Sequence, residues 1–174
     1  MDSVLEVDGS GLALLDLEGV LERRGEQAPR LEIPRAVRER CRVSRAVIED
    51  VIASGKTVYG VNTGFGKLAR VRVQDERLVE LQSNLILSHA TGVGPVLPKR
   101  VSRLMLVLRI AALVKGHSGV REELLDRLLL YYNEDIIPVV PEQGSVGASG
   151  DLAPLAHIAI ALLGDGQVWD GDRI

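Results

Sequence analysis

The stretch Gly144-Ser145-Val146-Gly147-Ala148-Ser149-Gly150-Asp151-Leu152-Ala153-Pro154-Leu155 packs small residues against a helix start more densely than any other part of the 174-residue chain. Asp151 reads as the N-cap of that helix, and Pro154 is tolerated because it falls in the first turn. Leu152, Leu155, Ala156, Ala159, Leu162 and Leu163 then recur at helical spacing until Gly164 ends the run. Ala148-Ser149-Gly150 therefore sits at a helix N-terminus. The partial positive charge there withdraws electron density from any group held at that end.

The triplet itself has unusual backbone chemistry open to it. The Gly150 nitrogen can reach the Ala148 carbonyl carbon only in an abnormally tight turn, which side chains obstruct. Glycine has no Cβ, alanine adds one methyl, and the serine between them carries a hydroxyl that can leave as water. Cyclisation with two dehydrations gives a methylidene-imidazolone, an electrophile that proteins otherwise lack without a borrowed cofactor. The run resembles the signature of the aromatic amino acid ammonia-lyases at every position. The resemblance implies that Ala148, Ser149 and Gly150 form this prosthetic group autocatalytically with no external cofactor, and that Asp151 supports it. A plain Gly/Ser turn before a helix explains the core of the motif but not its flanks. A serine-hydrolase elbow fails because Asp151 occupies the final glycine position of Gly-x-Ser-x-Gly, and because Asp151 and His157 stand about 240° apart around a helix.

A second segment, Val58-Tyr59-Gly60-Val61-Asn62-Thr63-Gly64-Phe65-Gly66, reads as a short strand entering a glycine-rich loop. Gly64-Phe65-Gly66-Lys67-Leu68-Ala69 formally fits a dinucleotide fingerprint, so a dinucleotide-binding oxidoreductase domain is the remote alternative. Against it, Val71-Arg72-Val73 alternates like extended chain where a helix should run. The segment also resembles the loop that carries the lyases' catalytic tyrosine. That resemblance gives Tyr59 the catalytic role, with Gly60 supporting it, whereas the bland reading is a half-buried strand tyrosine.

Asp75 is expected to cap a helix whose stripe Leu78, Leu81, Leu85 leads to Ser88 with His89 beside it, stopped by Gly92, Gly94 and Pro95. A lone histidine near a helix end is more often structural than functional. In the resemblance, however, Ser88 and His89 occupy the substrate-binding pair that lines the ring pocket, and they match the histidine-specific members. The implied reaction is elimination of ammonia from L-histidine to give trans-urocanate. Ala111, where the family usually has asparagine, departs from the pattern.

The remaining segments predict a mainly α chain with a few short strands near the N-terminus and around the reactive loop, as in the N-terminal part of a lyase-type helical fold. Val4 to Val7 read as a strand, and Asp16 as the cap of a short helix running through Arg23 to Gly25. Pro34 opens a helix with Val37, Cys41, Ser44, Ile48 and Val51 inward and Arg35, Arg38, Arg42 and Arg45 on a solvated face. Helices over 99–115 and 121–132 are expected to pack as an antiparallel pair, the first apolar through Val101, Leu104, Met105, Leu108, Ala111, Ala112 and Leu113. Residues 136–141 read as extended, and Gln167-Val168-Trp169 as a short strand. The chain reads as one continuous segment, 1–174, with a sub-boundary near 95–98.

Composition narrows the partners. A net charge of −3 argues against nucleic acid, and aromatics at 3% require an aliphatic core. The longest apolar run, 104–114, is interrupted by Arg109 and too short for a membrane, no secretory signal is visible at the start, and Cys41 stands alone; a cytoplasmic protein is expected. His89, His117 and His157 are isolated, so no metal site is expected. An apolar patch on the 99–115 and 121–132 helices points to a homo-oligomer, tetrameric in the family. Family chains are far longer than this one, so the second reading is a non-catalytic fragment or structural chain of a lyase assembly.

Overall fold

The computed structural model describes residues 4–21, 29–64, 73, 75–147 and 150–174. Its elements run β1 (Val4–Glu6), α1 (Leu14–Leu21), β2 (Arg30–Glu32), α2 (Arg35–Ala53) and α3 (Leu78–His89). After these come β3 (Val93–Val96), α4 (Lys99–Leu113), α5 (Glu122–Asn133), β4 (Ile137–Pro138), β5 (Pro141–Gln143), α6 (Leu152–Leu163) and β6 (Val168–Trp169). The chain is mainly helical with short strands, as the periodicity indicates. Prolines start two of the helices: Pro34 and Pro98 hold the N-cap positions of α2 and α4, where a missing N–H costs nothing. Gly164 closes α6 at φ 93°, a left-handed conformation that glycine adopts without a Cβ penalty.

The strands form three two-stranded ladders among the described residues. β1 and β2 pair in parallel across α1, with Val4 opposite Arg30. β3 is antiparallel to β5, matching Val93 to Gln143 and Val96 to Pro141 with a register irregularity between them. β4 is antiparallel to β6, matching Ile137 to Trp169. Sequence reasoning did not find β3, because Gly94 and Pro95 read as a stop. α3 in fact ends at His89, before either residue, and Val93 and Val96 join β5 as an edge pair, the place where a strand tolerates proline.

Around α4 the core gathers Leu106, Val107, Ile110 and Leu113 with Leu125, Leu128 and Tyr132 of α5, Ile137, and Ile158 and Leu162 of α6. The buried stripe of α4 differs from the expected one. Ser102, Arg103, Leu106, Val107, Ile110 and Leu113 are inside, while Leu108 is 46% exposed. In a helix apolar on most sides, hydropathy does not choose the inner face; packing against α1, α5 and β4 does.

Several local expectations are corrected. α1 begins at Leu14, and Asp16 lies within its first turn, where its carboxylate accepts from Ala13 N–H at 2.9 Å; Arg23 and Gly25 lie outside the described residues. A 3-10 turn, Asp75–Arg77, precedes α3, which has no side-chain cap bond. Segment 58–63 is a chain of turns rather than a strand, which removes the strand a dinucleotide fingerprint needs; residues 65–69 of that fingerprint lie outside the described residues. The arginine face of α2 meets the start of α5 instead of solvent alone. Arg38 pairs with Glu122 at 3.1 Å and Asp126 at 2.6 Å, and Arg42 reaches Glu122 at 2.7 Å. Hydrogen bonds from Arg42 first, then Arg38, hold the Glu122 carboxyl below its ordinary range despite some desolvation.

Candidate active site

Residues 144–147 leave β5 as an exposed loop and α6 opens at Leu152, so described chain flanks positions 148 and 149 on both sides. Asp151 ties the flanks together. Its Oδ2 accepts from Ser145 Oγ at 2.7 Å, and its Oδ1 from Val146 N–H at 3.3 Å. The residue stands at the N-cap position of α6 but makes no side-chain cap bond, because its carboxylate is engaged by the loop. This corrects the capping role: the carboxylate ties Asp151 to Ser145 and Val146 of the preceding loop instead. Ala148 and Ser149 themselves lie outside the described residues. At Gly147 and Gly150 an added Cβ meets nothing within 4 Å, so both glycines face open space. Open space at the flanking glycines, the loop bonded to Asp151 and a helix start without a side-chain cap are compatible with a methylidene-imidazolone made from Ala148, Ser149 and Gly150.

Tyr59 projects from a turn that two buried polar residues organise. Asn62 and Thr63 are fully buried. Asn62 Oδ1 accepts from Val58 N–H at 2.9 Å, and its Nδ2 donates to Lys56 O at 2.8 Å. Gly60 N–H donates to Thr63 Oγ1 at 3.3 Å, and Gly60 takes φ 76°, where any side chain is strained. Tyr59 is 62% exposed, not the half-buried strand residue of the bland reading.

Ser88 and His89 occupy the last turn of α3. Leu85 O accepts from Ser88 Oγ at 2.9 Å and lies 2.7 Å from His89 Nδ1. A carbonyl only accepts, so this contact puts the proton of a neutral ring on Nδ1 and makes Nε2 its acceptor nitrogen. His89 lines an open, largely apolar cavity of about 290 Å³ together with Leu85, Arg109, Leu152, Leu155 and Ala159. The structure thus brings His89 and the first turn of α6 onto one cavity. Ser88 and Tyr59 do not line it. Burial pushes the Arg109 guanidinium pKa down.

Sequence reasoning missed three contributors. The sequence assigns Asn62 and Thr63 no role of their own within the glycine-rich segment, yet both are buried and organise its turn. His157 was set aside as isolated, yet its Nε2 accepts from Gly92 N–H at 3.0 Å and links the segment after His89 to α6. Among the described residues no group of three or more His, Cys, Asp or Glu could hold a metal ion, and no helix is long and apolar enough to cross a membrane.

Comparison with known proteins follows the same lines. The family model described as aromatic amino acid lyase matches residues 12–174. Over 172 residues the chain is 51% identical to a histidine ammonia-lyase of Bacillus velezensis, covering 98% of this chain and 33% of that protein. Among solved structures, an ergothionase from Treponema denticola superposes with a TM-score of 0.90 at 31% identity, covering 98% of this chain and 33% of that one. A histidine ammonia-lyase from Trypanosoma cruzi gives 0.84 at 38% identity, covering 95% and 31%. The chain spans about a third of the length of the curated relatives it matches.

Proposed function

The chain belongs to the aromatic amino acid lyase family, and on that footing we propose that it supplies the N-terminal part of a histidine ammonia-lyase, which converts L-histidine to trans-urocanate and ammonia. The observation that carries the proposal is the clasp of Ser145 and Val146 onto Asp151 about the sequence Ala148-Ser149-Gly150. These three residues are proposed to form the methylidene-imidazolone, which supplies an electrophilic carbon to the amino acid substrate. The chain's own residues then have distinct tasks. Asp151 compresses the loop, and the first N–H groups of α6 add a positive end worth about 0.3–1 kcal/mol to developing negative charge. His89, which lines the cavity, hydrogen-bonds the substrate imidazole in this proposal, and Ser88 steadies the His89 ring through their 3.2 Å contact. Tyr59 is the proposed base for proton removal.

A phenolate base sets an energetic demand on the site. A tyrosine phenol ionises near pH 10 in water, so a phenolate at neutral pH requires about 4 kcal/mol of stabilisation. One helix end supplies at most about 2 kcal/mol. We assign part of that stabilisation to the additional chain that the relatives' threefold length implies. Exposed apolar residues on the site-bearing helices support the same view: Val79 is 79% exposed, Leu152 53% and Leu163 47%. We therefore assign the active form to a homo-oligomer in which additional chain covers α3 and α6, and the 174 residues alone to an inactive part of it.

Intact mass spectrometry of the lyase extended to its relatives' length tests the core of this reading. The expected mass is lower by two waters than the sequence mass, and Ser149→Ala restores the full sequence mass while abolishing urocanate formation, because alanine has no hydroxyl to eliminate. Retained activity in Ser149→Ala, or an unmodified mass in an active parent, overturns it.

A further inference from the structure

His157 stands one and a half turns into α6, about 9 Å along the helix from Asp151 at 1.5 Å per residue. Its ring is half-buried and turned toward Gly92, whose N–H donates to Nε2 at 3.0 Å. The fit leaves no slack. A Cβ at Gly92 falls 2.9 Å from Nε2, 3.1 Å from Cδ2 of the same ring and 3.1 Å from the Pro141 Cβ. A Cβ at Gly144 falls 3.0 Å from the Gly92 Cα and 3.5 Å from the Ala153 Cβ. Three segments therefore meet at Gly92: the chain leaving His89, the loop entering Ala148-Ser149-Gly150, and α6 itself. The β3–β5 ladder begins beside them, with Val93 opposite Gln143.

We propose that His157 is a positioning residue for the lyase reaction, a rigid strut that sets the spacing between His89 and the reactive end of α6. Its function rests on the reading above that His89 grips the substrate ring and the triplet supplies the electrophile. Gly92 follows His89 by three residues, and Thr91 N–H, bonded to His89 O at 2.8 Å, makes that connection a tight turn. Movement at Gly92 is thus passed to His89. Glycine at 92 and 144 allows the backbone approach, and the flat imidazole fills the space while accepting the Gly92 amide hydrogen. Burial pushes the His157 pKa down, which keeps the acceptor lone pair available at neutral pH.

The test uses His157→Ala, His157→Gln and Gly92→Ala. Glutamine places an amide oxygen near the position of Nε2, so it preserves the bond without the ring. In the 174-residue chain, amide hydrogen exchange at Gly92 is expected to accelerate at least tenfold in His157→Ala and to return toward the parent rate in His157→Gln. In the full-length lyase, kcat is expected to fall about 10- to 100-fold in His157→Ala, with a smaller change in KM, since an ångström of misalignment costs that much. The two-water mass deficit stays intact, and His157→Gln recovers most of kcat. Gly92→Ala, which displaces the ring while retaining it, should reproduce the His157→Ala defect and stands in for it if that variant does not fold. Unchanged Gly92 exchange in His157→Ala, or equal damage from alanine and glutamine, overturns the strut. A parent enzyme with neither the mass deficit nor urocanate formation overturns the lyase reading instead, and the exchange measurement still decides whether His157 holds Gly92.

Discussion

Asp135, in a left-handed backbone conformation at φ 57° where α5 gives way to β4, bonds Arg103, a guanidinium on α4 that is only 6% exposed. Lys99 Nζ completes the cluster, 2.6 Å from the other carboxylate oxygen. Burial by itself raises the Asp135 carboxyl pKa, but the hydrogen bonds from Lys99 and Arg103 outweigh it and hold the group below its ordinary 3.8. A folded-state pKa below the unfolded value stabilises the fold fully above the unfolded pKa, and the benefit is lost as pH falls through the folded one. Asp135→Asn keeps a residue that tolerates the left-handed region and removes the charge. It should cost about 1–2 kcal/mol at pH 7, a buried-pair value discounted for the carboxylate's exposure. The cost should shrink below pH 4. Urea midpoints at pH 7 and pH 3 check this; an equal loss at both excludes the ionic explanation.

Leu106 and Leu108 separate the packed face of α4 from the one hydropathy suggests. Leu106 is fully buried and Leu108 is 46% exposed. Leu106→Ala should cost about 2–5 kcal/mol, the range for a core leucine. Leu108→Ala should stay within about 1 kcal/mol in the isolated chain. Thermal melts of the two variants decide between the faces.

The clasp at Asp151 predicts an effect on maturation rather than on folding. Asp151→Ala removes both acceptors of Ser145 and Val146 in an exposed loop. The melting temperature should change little, while the fraction of full-length lyase carrying the two-water mass deficit drops. Asp151→Asn, keeping one acceptor oxygen, should fall between. Complete maturation of Asp151→Ala would show that the loop needs no clasp.

Tyr59→Phe removes the proposed base and leaves its turn intact, since the bonds that build that turn come from Asn62, Thr63 and Gly60. In the full-length lyase kcat should fall by about 10²–10⁴, the usual worth of a positioned proton acceptor, with the mass deficit unaltered. Asn62→Ala should lower both stability and kcat, because it leaves the buried ends of that turn unpaired. The isolated 174-residue chain should form no urocanate with either tyrosine or phenylalanine at position 59.

The helices are legible in the residue order, because their signals are local. Pro34 and Pro98 fix two helix starts, Gly164 fixes an end, and apolar spacing marks α2, α3, α5 and α6 within a few residues. The residue order also marked Ala148-Ser149-Gly150, since few other residues combine so little bulk with a leaving hydroxyl. Tertiary structure decided what periodicity cannot encode. Which face of α4 turns inward depends on neighbours distant in sequence, and so does the pairing of the α2 arginines with Glu122, 84 residues beyond Arg38. Asp151 satisfies every rule for a helix cap, yet an alternative donor pair within reach claimed its carboxylate. His157 carries no motif at all; its contact with Gly92 spans 65 residues and exists only where α3, the reactive loop and α6 converge.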